Sequence, residues 1–151
     1  MSHFKGRRKG IKATFSPQEK MFLSDVLPLL ADVGNTSDDP AARRLQVPVY
    51  LDDPEANEEW WRLMGQDLDE ARSADRSVFR TVMTTDGPAD LSVEEADAFL
   101  RVLNESRLVL AARAGLEVES DHDELPADSR QVLDYLGWIL EELTTELYRF
   151  L

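Results

Sequence analysis

The chain has 151 residues, 42% of them hydrophobic and 31% charged, the composition of a globular domain with a real core, not of a disordered segment. It contains no cysteine, which removes disulfides, thiolate metal sites, cysteine nucleophiles and thiol redox sensing together. The net charge is −13, and Lys5, Arg7, Arg8, Lys9 and Lys12 give residues 1–12 a charge of +5 with no acid, so the other 139 residues carry −18. An acidic body repels nucleic acid and anionic membrane at long range, although the basic stretch can still reach a phosphate or fold back on that body. No apolar run approaches the roughly 18–20 residues that span a bilayer, and no apolar segment follows the basic residues as a secretory signal requires. The expectation is one cytoplasmic domain over residues 1–151.

In chain order, "HFKGRRKGIKATF" alternates glycine and basic residues between two extended pieces. It predicts a hairpin from residues 2–5 and 10–15, so that residues 1–15 form a basic hairpin or arm. In "SPQE", Ser16 is an N-cap, Pro17 suits the first helical position and Glu19 completes a capping box. A first helix is predicted over 17–33, with Phe22, Leu23, Val26, Leu27 and Leu30 on its apolar side. Pro28 removes the bond to the Ser24 carbonyl and kinks it. Residues 35–54 read as a long polar connection whose centre, "VPVYL", lies extended on the body. Asp53 caps a second helix over about 55–83, with Trp61, Met64, Leu68, Ala71, Val78 and Val82 at core spacing and Asp75 as the polar break. "TTDGPAD" reads as a loop. Ser92 and Glu95 repeat the capping box ahead of a third helix over 93–114, which Gly115 stops. After an acidic loop, a fourth helix runs from about 129 to the C-terminus, with Val132, Leu136, Ile139, Leu140, Leu143, Leu147 and Phe150 facing the core. The predicted class is all-α: four main helices in a compact bundle-like domain with a small N-terminal β-hairpin.

The third helix carries two polar residues among its apolar ones. At 100° per residue, Arg107 falls about 40° from Leu103 on the core face, and Asn104 about 100° away on its flank. A buried guanidinium costs several kcal/mol, on the order of a broken ion pair, unless it is paired and hydrogen-bonded. A buried polar network of Asn104, Arg107 and Asp134 is therefore expected, with Glu141 or Glu142 as the second choice of partner. A polar pocket for an anionic ligand around Arg107, or a side chain that snorkels to solvent, are the other readings.

No G-x-S-x-G, P-loop, G-x-G-x-x-G or H-E-x-x-H is present, so neither a catalytic residue nor a cofactor site is expected. His122, in "SDHDE", sits in an acidic loop without the rigid ligand set that metals require. The adjacent pairs Glu94–Glu95 and Glu141–Glu142 read as caps or surface. Arg72, Arg76 and Arg80 make a basic ridge at spacing four, which meets Asp69, Asp75 or a neighbouring helix, or else receives an acidic partner. Trp138 lies about 160° from Leu136 around the fourth helix. Either that helix is central and covered on both sides, or Trp138 belongs to a homodimer or partner patch. Of the adjacent Trp60 and Trp61, Trp61 continues the core spacing and Trp60 is the surface candidate.

Three stretches carry a resemblance. "PVYLDDPEANEEWWRL", "VLNESRLVLAARAGL" and "VLDYLGWILEEL" resemble, in order and spacing, the motifs of the actinobacterial domain-of-unknown-function family DUF2017. The middle one, with Asn104, Arg107 and Arg113, is the most specific. Trp61 stands where the family usually has Arg, Ala112 near a usual Gly, and Gly137 where Thr is common. The resemblance covers about residues 11–150. It implies a small helical protein without established catalytic residues; genes of the family often lie beside that of the Clp-protease adaptor, and some members are labelled transcriptional regulators.

These readings together predict a non-enzymatic, cytoplasmic, cofactor-free protein that works through a protein partner or as a homodimer. The rival is a transcriptional regulator acting on the transcription machinery, or on nucleic acid through Lys5, Arg7, Arg8, Lys9 and Lys12.

Overall fold

The computed structural model describes residues 2–35, 39–45, 52–115 and 125–151. The expectations for "VPVYL" and for His122 lie outside the described residues. The chain is mostly helical with a small antiparallel sheet. Its elements are β1 (Phe4–Gly6), β2 (Gly10–Ala13), α1 (Pro17–Ser24), α2 (Val26–Ala31), α3 (Pro40–Leu45), α4 (Pro54–Thr84), β3 (Ala89–Ser92), α5 (Val93–Arg113) and α6 (Ala127–Tyr148).

Helix starts follow the caps. Ser16 and Ser92 each accept from the backbone N–H three residues on, while Glu19 and Glu95 reach back to the cap, so both capping boxes are complete. Asp53 caps α4 by accepting from the Ala56 N–H. The expected kink is a full break: α1 ends at Ser24, four residues ahead of the proline whose missing N–H leaves the Ser24 carbonyl without its bond, and α2 begins at Val26. Phe22, expected on the core side, is 38% exposed and lies edge-to-face on Tyr135 of α6.

Two elements depart from expectation. The predicted loop over 84–90 contains the start of β3, which pairs antiparallel with β2 through Ile11 and Leu91 and through Ala13 and Ala89. The sheet order is therefore β1-β2-β3, with the hairpin supplying two of three strands. Within the predicted polar connection, Pro40–Leu45 is a helix. Asp39 caps it by accepting from the Ala41 N–H, and Pro40 stands at its first position.

Alternation sorts the sheet into two faces. Phe4, Ile11, Ala13, Ala89 and Leu91 are buried, whereas Lys5, Lys12 and Asp90 share one cross-strand row on the outer face. The inner face meets α5, whose Phe99 stacks on Phe79 of α4 at 4.7 Å between centroids and packs against Phe4 and Phe15, each at 5.9 Å. The central helix is α5, flanked by α3, α4 and α6, and not the C-terminal helix. The inward face of α6 is Leu136, Ile139 and Leu143, all fully buried.

The long α4 is antiparallel to α5. Phe79 meets Phe99, Asp75 meets Arg101, and Arg72 meets Glu105. In that register α5, ending at Arg113, stops level with about residue 64 of α4, and the first turns of α4 overhang it. The buried residues of α4, Asp75, Phe79, Val82 and Met83, all lie in the stretch paired with α5. The core places predicted for Trp61 and Met64 fall on the overhang, and that predicted for Ala71 falls on an exposed face of the paired stretch. Trp61 is half-buried and packs edge-on to Trp60 at 5.0 Å, while Met64 and Ala71 are exposed.

Candidate functional site: the His3 cluster and the outer face of the last helix

A dense polar cluster joins the N-terminal strand to α1 and α6. His3, one residue before β1, is buried. Its Nε2 lies 2.6 Å from Oε2 of Glu19 and its Nδ1 lies 3.0 Å from Oε2 of Glu142. Each ring nitrogen faces a carboxylate, so both are donors only in the imidazolium form. Tyr135 donates its hydroxyl to the same Glu19 oxygen at 2.6 Å. Around the ring, Phe15 stacks at 5.3 Å and Trp138 stands edge-on at 5.0 Å.

Glu142 and Glu146, one helical turn apart on α6, also hold the free edge of β1. Glu142 Oε1 accepts from the backbone N–H of His3 and of Phe4 and from the Ser2 hydroxyl; Glu146 Oε2 accepts from Gly6 N–H at 3.1 Å. Four helical residues rise about 6 Å and two strand residues about 6.8 Å, so the two repeats match. Glu142, expected as a cap or surface residue or as the second choice of partner for Arg107, is instead the anchor of β1 and His3.

The charges follow from this geometry. Burial raises the Glu19 carboxyl, but hydrogen bonds from Tyr135, the Ser16 N–H and His3 outweigh it, and the group ends below its ordinary value. Burial likewise works against Glu142, and the His3 ring, the Ser2 hydroxyl and the backbone N–H groups of Phe4 and His3 bring it down. Burial, then the Glu19 carboxylate beside it, pushes the Tyr135 hydroxyl well above the usual tyrosine range. The cluster has no point where ligands converge on a metal, because the His3 nitrogens face opposite ways. Among the described residues no group of three or more metal-ligating side chains forms such a site.

The other predicted residues are placed as follows. Asn104 is exposed, so it is not part of a buried network. Arg107 is half-buried and lies over Gly137, where a methyl group would stand 3.4 Å from its Nε; that Nε is buried without a hydrogen-bond partner among the described residues. Asp134 is exposed on α6. The tightly closed ion pair of α5 belongs to a different arginine: Arg101 donates Nε and Nη2 to Asp75, both at 2.8 Å. Periodicity missed it because Arg101 approaches Asp75 from the edge, with half of its side chain in solvent. Arg113 reaches Asp39 at 3.0 Å and Asp32 at 3.4 Å, tying the end of α5 to the start of α3. Its guanidinium, the Gly34 N–H and the Ala41 N–H hold the Asp39 carboxyl down at about 2, against the opposing effect of burial.

The ridge on α4 divides. Arg72 and Arg76 fold against Glu105 of the neighbouring α5, whereas Arg80 is exposed. At the hairpin, Lys5, Arg7, Arg8 and Lys9 are exposed and Lys12 is half-buried. None of the five makes an ion pair among the described residues, and Lys5 and Lys12 stand directly opposite each other. The stretch is not a free arm, since Glu142 and Glu146 fasten it to α6.

Trp138 has its edge against His3 and 53% of its surface in solvent. It lies in one stripe of exposed residues on α6, Gln131, Asp134, Trp138, Glu141, Thr145 and Tyr148, at spacings of three and four. Beside the stripe, Phe22 and Tyr135 meet edge-to-face at 5.6 Å and line a shallow apolar groove between α1 and α6, with Gln18 and Gln131 at its rim.

The sequence pattern of the family described as "Domain of unknown function (DUF2017)" matches residues 1–147, and the chain belongs to that family. No curated protein and no solved structure matches the chain. Among the described residues, no helix is long and apolar enough to cross a membrane.

Proposed function

We propose that this protein is a non-enzymatic, cytoplasmic interaction module that docks a protein partner on the outer face of α6. The observation that carries the reading is Trp138. It is half in solvent, with its edge fixed by His3, and carboxylates stand one turn to either side, at Asp134 and Glu141. A large aromatic of this kind is the usual centre of a binding hot spot. The flanking acids select a partner segment with an apolar anchor between basic residues. They also disfavour a two-fold homodimer through this face, because a self-complementary interface would bring like charges together. The His3 cluster supports a structural role for the polar residues beneath, because both ring nitrogens are engaged and neither is left to move a substrate proton.

Affinity capture with wild type, Trp138→Glu and Asp134→Asn/Glu141→Gln tests the reading. The expected result is one stoichiometric protein, lost with Trp138→Glu and held less tightly, with a flatter salt dependence, by the charge variant. A partner retained by both variants rules out this face.

A second reading rests on the five cations at the hairpin, which make no ion pair among the described residues of an otherwise acidic protein. They suit a regulator that touches nucleic acid. Removing Arg7, Arg8 and Lys9 should then lower affinity for a DNA duplex and reduce the salt slope by roughly one per lost phosphate contact. Absence of binding by the wild type at low salt sinks direct contact.

A further inference from the structure

Two ion-pair groups stand side by side on the α4–α5 seam, and they differ. Arg101 and Asp75 close through two parallel hydrogen bonds, both 2.8 Å. One turn along, Arg72 Nε and Arg76 Nη2 each stop 3.5 Å from an oxygen of Glu105. That distance is long for a charge-assisted hydrogen bond. Glu105 Oε2 and Arg76 Nε are buried and have no hydrogen-bond partner among the described residues. Two guanidinium groups thus share one carboxylate loosely, and buried polar atoms without partners are costly enough to need a reason.

The space beside them supplies one. Arg72 and Arg76 line a cavity of about 210 Å³ between α2, α3 and α4. Leu30, Val33, Ala42 and Leu45 make its apolar wall, and the exposed Asp69 stands at its rim. Arg72 spends one Nη2 donor on the Leu45 carbonyl at 3.1 Å, which holds its fork in place. We infer that this cavity binds a small organic carboxylate. The carboxylate lies on the arginine pair beside Glu105, and its short chain covers the four aliphatic side chains. The volume equals that of about seven water molecules at liquid density, which suits a short-chain acid. Two guanidinium groups share one carboxylate, and the acid at the rim, Asp69, is exposed to solvent, so a site with an apolar wall fits a monoanion with a hydrocarbon tail better than a doubly charged phosphate.

The experiment titrates the full chain with hexanoate, and separately with inorganic phosphate, following the arginine Nε–H resonances and the heat of binding. The wild type should bind hexanoate saturably and in preference to phosphate, with the Arg76 Nε–H moving. Glu105→Gln removes the internal competitor and should tighten hexanoate by roughly tenfold, the scale of one charge-assisted contact. A purely structural Glu105 predicts no such gain. Ala42→Leu fills the cavity without touching a charge, and should abolish binding while the melting temperature holds or rises. Affinity is counted per folded molecule, from circular dichroism of each variant. No saturable response in wild type and in Glu105→Gln, an equal response to phosphate, or undiminished binding by Ala42→Leu each overturns the inference.

Discussion

Gly10 is the position in the sheet where a methyl group would run into backbone. A Cβ there would stand 2.0 Å from the Leu91 carbonyl oxygen, because β2 and β3 close up where Gly10 faces Ser92. Gly10→Ala should therefore cost about 3 kcal/mol, the upper range for overpacking, in urea unfolding. Gly65 is the control. It lies within α4 with open space around it, so Gly65→Ala should stabilise by roughly 0.5–1 kcal/mol through backbone entropy alone. Equal effects at the two sites would refute the steric account. The same scale shows what one letter of sequence conveys. A polar residue on an apolar face directed the expectation of a closed pair to Arg107, whereas the closed pair of α5 is that of Arg101 and Asp75. Helical phase gives the direction of a side chain, and the length of arginine lets it leave that direction. His3 gave no local sign, because its partners stand 16 and 139 residues away.

Elements whose limits are set by local chemistry were legible: both capping boxes, the Asp53 cap and the hairpin; at Pro28 a kink was legible, though not the full break. Those set by distant pairing were not. The strand Ala89–Ser92 exists because β2 offers it an edge almost eighty residues earlier in the chain, and its four residues carry no turn signal of their own. The attachment of β1 to α6 is of the same kind, and it makes stability depend on acid. Glu19 and Glu142 both have carboxyl groups lowered on folding. In the unfolded chain they take up protons first, so stability rises with pH across that range. Their contribution is complete above the ordinary carboxylate value of 4.5 and is lost as the pH falls through the lower folded values. Glu19→Gln/Glu142→Gln should cost on the order of 3 kcal/mol at pH 7, since it weakens charge-assisted hydrogen bonds at both ends of His3. Against wild type, that difference should shrink steadily in unfolding experiments taken from pH 5 toward pH 3. A difference that stays constant with pH would assign the loss to packing.

Over the whole molecule the charges are separated, with five cations gathered on the hairpin and −18 on the rest. The hairpin tip faces Asp90 on the neighbouring strand and Glu146 on α6, without a closed ion pair to either among its cations. Its attraction to the body is therefore diffuse, and diffuse attraction is what salt screens over about 8–10 Å at physiological strength. Reversing the three tip charges with Arg7→Glu, Arg8→Glu and Lys9→Glu changes each by two, taking the net charge from −13 to −19. The variant should melt a few degrees below wild type at 10 mM salt, the shift that about 1 kcal/mol produces in a chain of this size. Most of that deficit should disappear by 0.5 M salt, because a long-range term vanishes while the hairpin's hydrogen bonds to Glu142 and Glu146 persist. A deficit that survives high salt would mean that the tip residues make short contacts with the body. The cations would then be part of the fold, and the reading of the hairpin as a surface held open for a polyanion would lose its basis.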